Sequence, residues 1–385
     1  MKIRVCNYSL VLLLSILFLA SCSSALPVAT QSVSEPTLPE ITEIPPTLAA
    51  VQETSREEEI TASPDTAAIN PLTGLPVKDK SLLQRRPVIV KVQNVPRESR
   101  PQWGLSQADH VYESYIEYGD TRFAAVYFGT LPEQIGPVRS ARHFDIQLIQ
   151  MYQAVLLYGG AYDDLEQEML SSEFGSRLIR EGQNTKPVFY RYEPSGTNYL
   201  MANLTRLDEV YNFYGIKDVP PEFPLIPFSE LPAEGGLSAD VVRIRFSGSM
   251  YNRWDYDPVT TRYYRSSEVI SGMDEEYAPL YDRANGEQIA ADNLVVIFTR
   301  YNQVPDFNEV FDVPLSGSGP AYGMRDGQIY ELIWKRDVSD ELFTLTYRDG
   351  NPYAFKPGNT WFSILGSQSK LMQQEKNWQF NFYMP

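Results

Sequence analysis

Between residues 23 and 68 the chain carries no aromatic side chain, and Pro, Ser, Thr and Glu dominate it. A stretch so poor in bulky apolar groups cannot bury enough surface to offset the entropy of ordering its backbone. Residues 22–68 therefore read as a disordered tether, and whatever folds lies after it. A coil of that length reaches roughly 35–40 Å root-mean-square. With 43% hydrophobic and 12% aromatic residues in the whole chain, the roughly 315 residues that follow are enough for two domains.

Ahead of the tether, Lys2 and Arg4 precede an almost unbroken apolar run over 11–19. The run is too short to span a bilayer and gives way to small residues, so 1–21 reads as a signal peptide. Leu19-Ala20-Ser21-Cys22 resembles the lipobox of bacterial lipoproteins. The resemblance implies cleavage before Cys22 and diacylation of its thiol. A plain secretory signal with an incidental cysteine is the alternative. Cys6 would leave with the leader and Cys22 would carry lipid, so the mature chain forms no disulfide and is held by its core. Acyl chains contribute about 0.8 kcal/mol per buried CH₂, so two or three anchor without basic help. The expected address is the cell membrane, lipid-anchored on the extracytoplasmic face, with the folded part near or within the cell wall.

The formal charge is −16, and loss of Lys2 and Arg4 with the leader takes it to −18. That balance disfavours nucleic acid and anionic lipid as non-specific partners. The expected partners are the membrane, through the lipid on Cys22, and a cell-wall polymer or envelope protein. No cofactor is expected. With two histidines and no cysteine beyond the lipidated one, a transition-metal site would have to be carboxylate-rich. No ligand spacing stands out, so no metal is expected.

Residues 69–228 alternate strand and helix patterns. The β-branched run 88–92 follows Arg86-Pro87, and 111–118 with 122–128 reads as a hairpin around Gly119-Asp120. Phe144, Leu148 and Met151 make a helical stripe. A buried strand over 154–157 ends at Gly159-Gly160, and Asp163 and Asp164 open the next helix. A helix is expected over about 197–214, ended by Gly215. The proline-rich stretch 220–232 marks a boundary. Residues 238–385 read as β-rich, with hairpins around Asp257-Pro258, Asp326-Gly327 and Asp349-Gly350, a core strand over 361–365 and a short terminal segment over 370–378. The expected fold class is α+β: a mixed α/β N-terminal domain followed by a β-rich C-terminal domain.

RPVIVKVQN (86–94), RPQWGLSQADHVYE (100–113), TRF (121–123) and IGPVRSAR (135–142) are similar to the N-terminal domain of the YerB-like lipoprotein family, catalogued as a domain of unknown function. NPLTG (70–74) fits as well. DGQIYELIWKR (326–336) and DGNPYAFKPGNTWFSIL (349–365) fit the C-terminal part more loosely. The resemblance implies a surface-anchored, two-domain protein without an established enzymatic activity. His110 and His143 fall where that family usually has other residues, and Tyr158 where a histidine is common.

The stretch 132–164 is densest in special residues. Arginine far outnumbers lysine between 85 and 206. A guanidinium fork suits carboxylate or phosphate, and equally a buried ion pair. Arg100, Arg122, Arg139 and Arg142 are candidates for an anion pocket; the other reading pairs them internally with Glu113, Glu117, Asp109 and Asp145. His143, beside Arg142 and Asp145, is a candidate general base or metal ligand, or a structural histidine. Glu113 and Glu117, four apart on an alternating strand, are expected to point the same way, as a glycosidase pair or an arginine-paired face. Gly159-Gly160 admits a ligand to backbone amides or simply a tight turn. Tyr251, Trp254, Tyr256, Tyr263 and Tyr264 make either a sugar-stacking face or cross-strand packing. No catalytic signature stands on spacing. The leading expectation is a non-catalytic binding or regulatory module at the envelope, and the rival is a hydrolase acting on cell-wall glycan or peptide.

Overall fold

The computed structural model describes residues 68–193, 199–272, 274–305 and 309–384. The leader, Cys22 and the tether up to residue 67 lie outside the described residues. The first half supplies β1 (Val88–Gln93), β2 (His110–Tyr115), β3 (Thr121–Tyr127), α1 (His143–Met151), β4 (Val155–Tyr158), α2 (Asp163–Ser171), β5 (Leu178–Arg180), β6 (Phe189–Arg191), β7 (Leu200–Ala202) and α3 (Leu207–Tyr214). The second supplies strands alone: β8 (Leu237–Ser238), β9 (Val241–Arg245), β10 (Tyr251–Asp257), β11 (Arg262–Glu268), β12 (Tyr277–Pro279), β13 (Ala290–Ala291), β14 (Asn293–Thr299), β15 (Asn302–Gln303), β16 (Phe311–Asp312), β17 (Gly317–Arg325), β18 (Gln328–Arg336), β19 (Thr344–Thr346), β20 (Thr360–Gly366), β21 (Lys370–Gln374) and β22 (Asn377–Asn381). The α+β class is thus observed, with the helices of the described residues confined to the first half.

Eleven of these strands form one sheet, ordered β19-β18-β17-β14-β20-β2-β3-β1-β4-β5 with β8 beside β18. β20, from the second half, lies between β14 and β2 and runs parallel to both, so the two halves share this sheet. β1, β4 and β5 are also mutually parallel, while β3 is antiparallel between β1 and β2. Strands covered on both faces read as continuous apolar runs, and β1 and β4 are buried throughout. Seven strands form the second sheet, ordered β12-β11-β10-β9-β22-β21 with β13 beside β11. Its β9 and β22, which pair in parallel, alternate buried and half-buried residues, so one face of this mixed sheet packs inward and the other is partly exposed.

Alternation along the strands sorts the central sheet's two faces. Lys91 and Tyr112 both stand opposite Ala124 and face α1, where Phe144, Leu148, Ile149 and Met151 are buried. Phe123 and Trp361 face the second sheet, with the Trp361 and Trp254 rings 5.2 Å apart. Full burial of side chains this size stabilises by about 1.5–3 kcal/mol each. Trp254, Tyr263 and Tyr251 are buried, so cross-strand packing accounts for them; Tyr256 and Tyr264 are half-buried.

Three expectations need correction. The helix expected over 197–214 begins only at Leu207, and its first residues, 197 and 198, lie outside the described residues. Leu200–Ala202 is instead a strand, paired antiparallel with β6, while Ile135 exchanges hydrogen bonds with Ala202 and Val138 donates to the Leu200 carbonyl at 2.6 Å. Pairing with β6, together with the hydrogen bonds from residues 135 and 138, overrides the local helical stripe. The terminal segment over 370–378 is the β21–β22 hairpin. Glu113 and Glu117 do not point the same way: β2 ends at Tyr115, so the alternation stops before Glu117.

Candidate functional site

β1 and β4 pair through Val88–Val90 and Val155–Leu157 and then part. Chain order runs from β1 to β2 and β3 on one side, then to β4 and β5 on the other, so the gap lies where strand order reverses. Such a reversal leaves a crevice beyond the carboxyl ends of the strands. Residues 135–142 thread it. Gln93 donates its backbone N–H to Pro137 (2.9 Å), Arg139 to Lys91 (2.9 Å), Gly159 to Arg139 (3.0 Å) and Ala141 to Gly160 (2.8 Å). The turn at the two glycines rests on Gly160, whose φ of 148° favours glycine.

α1 starts at this edge. Asp145 accepts the Arg142 N–H at 2.7 Å and the Lys91 ammonium at 2.7 Å, and neither Lys91 nor Asp145 has any exposed side-chain surface. Burial pulls the Lys91 pKa down, against the pull of Asp145. Arg142 forks onto both Glu117 oxygens, its Nε at 2.6 Å. Arg122 donates to the Ser140 carbonyl at 2.7 Å and lies 3.9 Å from Glu117, but its buried Nε meets no acceptor. Burial pushes Arg122 down to about 10. Arg139 is lowered too, first by burial and then by the neighbouring guanidinium groups of Arg122 and Arg191. Gln93 stands opposite Arg122 in the β1–β3 ladder and on its face, fully buried, with neither amide atom partnered.

The remaining candidates lie elsewhere. Arg100 reaches across to β11, pairing with Glu268 at 2.8 Å and donating to the Asn94 carbonyl. Glu113 faces the second sheet and pairs with Arg265 at 2.9 Å. Glu113 and Glu117 therefore have separate partners on opposite faces, which removes the geometry of a carboxylate pair. His143 hydrogen-bonds the Tyr162 hydroxyl at 2.9 Å and lies 3.7 Å from Glu168, while burial lowers its pKa. Asp145 is spent on Lys91 and the helix start, so it does not orient His143 as a base. Asp109 accepts from Asn70 and the Phe128 and Gly129 amides. Among the described residues no cluster of three His, Cys, Asp or Glu could hold a metal.

Sequence reasoning passed over Lys91, Gln93 and Arg265. A lone lysine inside the β-branched run 88–92 was the available signal, because a buried ammonium requires a partner. The assembled edge offers guanidinium and amide donors to an oxyanion; it does not join a nucleophile to a base.

The molecule is an α+β protein of two packed sheets with an arginine-rich edge at the strand reversal. It belongs to the family described as protein of unknown function DUF3048, matching its N-terminal domain over residues 72–216 and its C-terminal domain over 242–362. It is 28% identical over 314 residues to a Bacillus subtilis (strain 168) protein named "Putative lipoprotein YerB", covering 79% of this chain and 88% of that one. The crystal structure of YerB protein from Bacillus subtilis is similar at a TM-score of 0.65 and 26% identity, over 77% of this chain and 96% of that chain.

Proposed function

We propose that this chain is a lipid-anchored envelope protein that holds a phosphate- or carboxylate-bearing cell-wall polymer at the β1/β4 edge, without turnover. The observation that carries the reading is Arg122: a half-buried guanidinium with a buried, spare Nε donor, beside a buried Gln93 amide that meets nothing. Buried polar groups are ordinarily satisfied, and a planar donor held ready suits an oxyanion. The mutual repulsion of Arg122 and Arg139 would be relieved by a bound anion. The anchor reading is supported by the Cys22 pattern and by the name of the Bacillus subtilis relative. Extracytoplasmic display follows from that anchor.

The test uses the full chain carrying Cys22→Ala, titrated with inorganic phosphate and mixed with isolated sacculi. Saturable binding to both is expected, weakened tenfold or more by Arg122→Gln, with no soluble fragment released. Binding that ignores Arg122→Gln overturns the site, and released fragments overturn the absence of turnover. Metabolic acyl labelling should vanish in Cys22→Ala, and labelling that persists would refute the anchor.

A further inference from the structure

On the α1 face of the central sheet, at the opposite end of α1 from the arginine edge, lies a cavity of about 250 Å³. Its floor is β2 and β20, through Tyr112 and Phe362, and its walls are the 342–355 hairpin and the 224–227 segment. The lining is overwhelmingly carbon, with Ile226, Leu345 and Phe355 prominent. A dry apolar cavity of about 150 Å³ already accepts benzene, so this volume admits a ring with a short chain.

One polar device sits at its base. His110 Nε2 lies 2.8 Å from the Leu72 carbonyl, and Nδ1 lies 2.6 Å from the Tyr152 hydroxyl. The Tyr152 and Tyr112 hydroxyls are 2.7 Å apart. The direction of every proton follows. A carbonyl only accepts, so His110 Nε2 carries the hydrogen and Nδ1 must accept. Tyr152 donates to Nδ1, which leaves its oxygen to accept from Tyr112. All three donors are consumed, and the chain ends in the lone pairs of the Tyr112 oxygen. Burial keeps the histidine neutral and both phenols protonated. Tyr353, another lining residue, keeps a buried hydroxyl with no partner.

We propose that this cavity is a second binding site, independent of the arginine edge, for a small uncharged apolar molecule bearing one hydroxyl, which donates to the Tyr112 oxygen. A carboxylate would face the Tyr112 acceptor with only the neutral Tyr353 hydroxyl to donate and no cation among the lining residues, and burying its charge so poorly paired is costly. A pure hydrocarbon would fill the space but leave the Tyr112 oxygen unused.

Calorimetric titration of the full chain carrying Cys22→Ala, at pH 7, with 4-propylphenol, propylbenzene and 4-propylbenzoate tests this. The phenol is expected to bind about 3–10-fold tighter than the hydrocarbon, the range of one net hydrogen bond, and the benzoate weakest. Tyr112→Phe should erase the phenol's advantage while propylbenzene still binds, and Leu345→Trp should abolish both. If Tyr112→Phe does not fold, the order of the three probes on the parent chain decides. Benzoate binding as tightly as the phenol, an unchanged phenol-to-hydrocarbon ratio in Tyr112→Phe, or no saturable binding of any probe overturns the proposal.

Discussion

Glu113 Oε2 and Arg265 Nη1 stand 2.9 Å apart, with each side chain 1% exposed. The pair joins the central sheet to the second one. Asn252 donates to the same carboxylate at 3.2 Å, and Thr121 and Asn94 donate to its other oxygen. The Arg265 guanidinium lies 4.7 Å from the Trp361 ring and 5.3 Å from both Phe123 and Trp254. Such a charge is tolerated because its partner and the ring faces replace water.

Glu113→Gln leaves that guanidinium buried without its counter-charge and is expected to cost about 3–5 kcal/mol in urea unfolding. Glu113→Gln combined with Arg265→Met should lose clearly less than the two single changes added together. Strict additivity would show that the pair is not coupled. Loss of any function in Glu113→Gln would accordingly report on folding before chemistry.

Arg122 should behave in the opposite way. It is buried at the cost of a lowered pKa, with one donor unused and only a 3.9 Å approach to Glu117. Arg122→Met is expected to change stability by less than about 1 kcal/mol or to raise it, as when a residue is kept for binding rather than folding. A loss on the scale of Glu113→Gln would mark Arg122 as structural.

His110 sets an acid limit. An unfolded histidine titrates near 6.5, and burial pulls His110 to about 4. Above the unfolded value both states are neutral, and this group adds no pH dependence. As pH falls from about 6.5 towards 4, the unfolded chain takes up a proton that the folded chain refuses, so stability drops by about 3 kcal/mol. Asp109, raised to about 6 by burial, acts with opposite sign in the same window. Subtracting the urea-midpoint profile of His110→Gln from that of the parent, at pH 7, 5.5 and 4, removes Asp109. A flat difference would place His110 near its ordinary pKa.

Much of the fold was readable locally. The apolar runs of β1 and β4, the Phe144–Leu148–Met151 stripe of α1, and the Asp326-Gly327 turn each encode their element within a few residues. Where tertiary pairing competes, local pattern loses: β7 is a strand because β6 supplies its ladder and residues 135 and 138 bond to it as well.

The candidate site was legible only as a composition. The excess of arginine over lysine between 85 and 206 drew attention to these side chains, yet it could not divide them between binding and pairing. Arg100 and Arg142 are claimed by Glu268 and Glu117, whereas Arg122 keeps a free donor. Partner assignment depends on residues brought together from far along the chain, as with Arg265, 152 positions from Glu113.

The amino-acid order alone determined where folding can start, which class of fold results, and how the chain is expected to be moored, because those follow from hydrophobic spacing and a short leader pattern. Which charges meet, which stay unsatisfied and where space remains between the layers were decided by packing. Burial turns on the distance to every neighbour at once, and no single stretch of sequence contains that information.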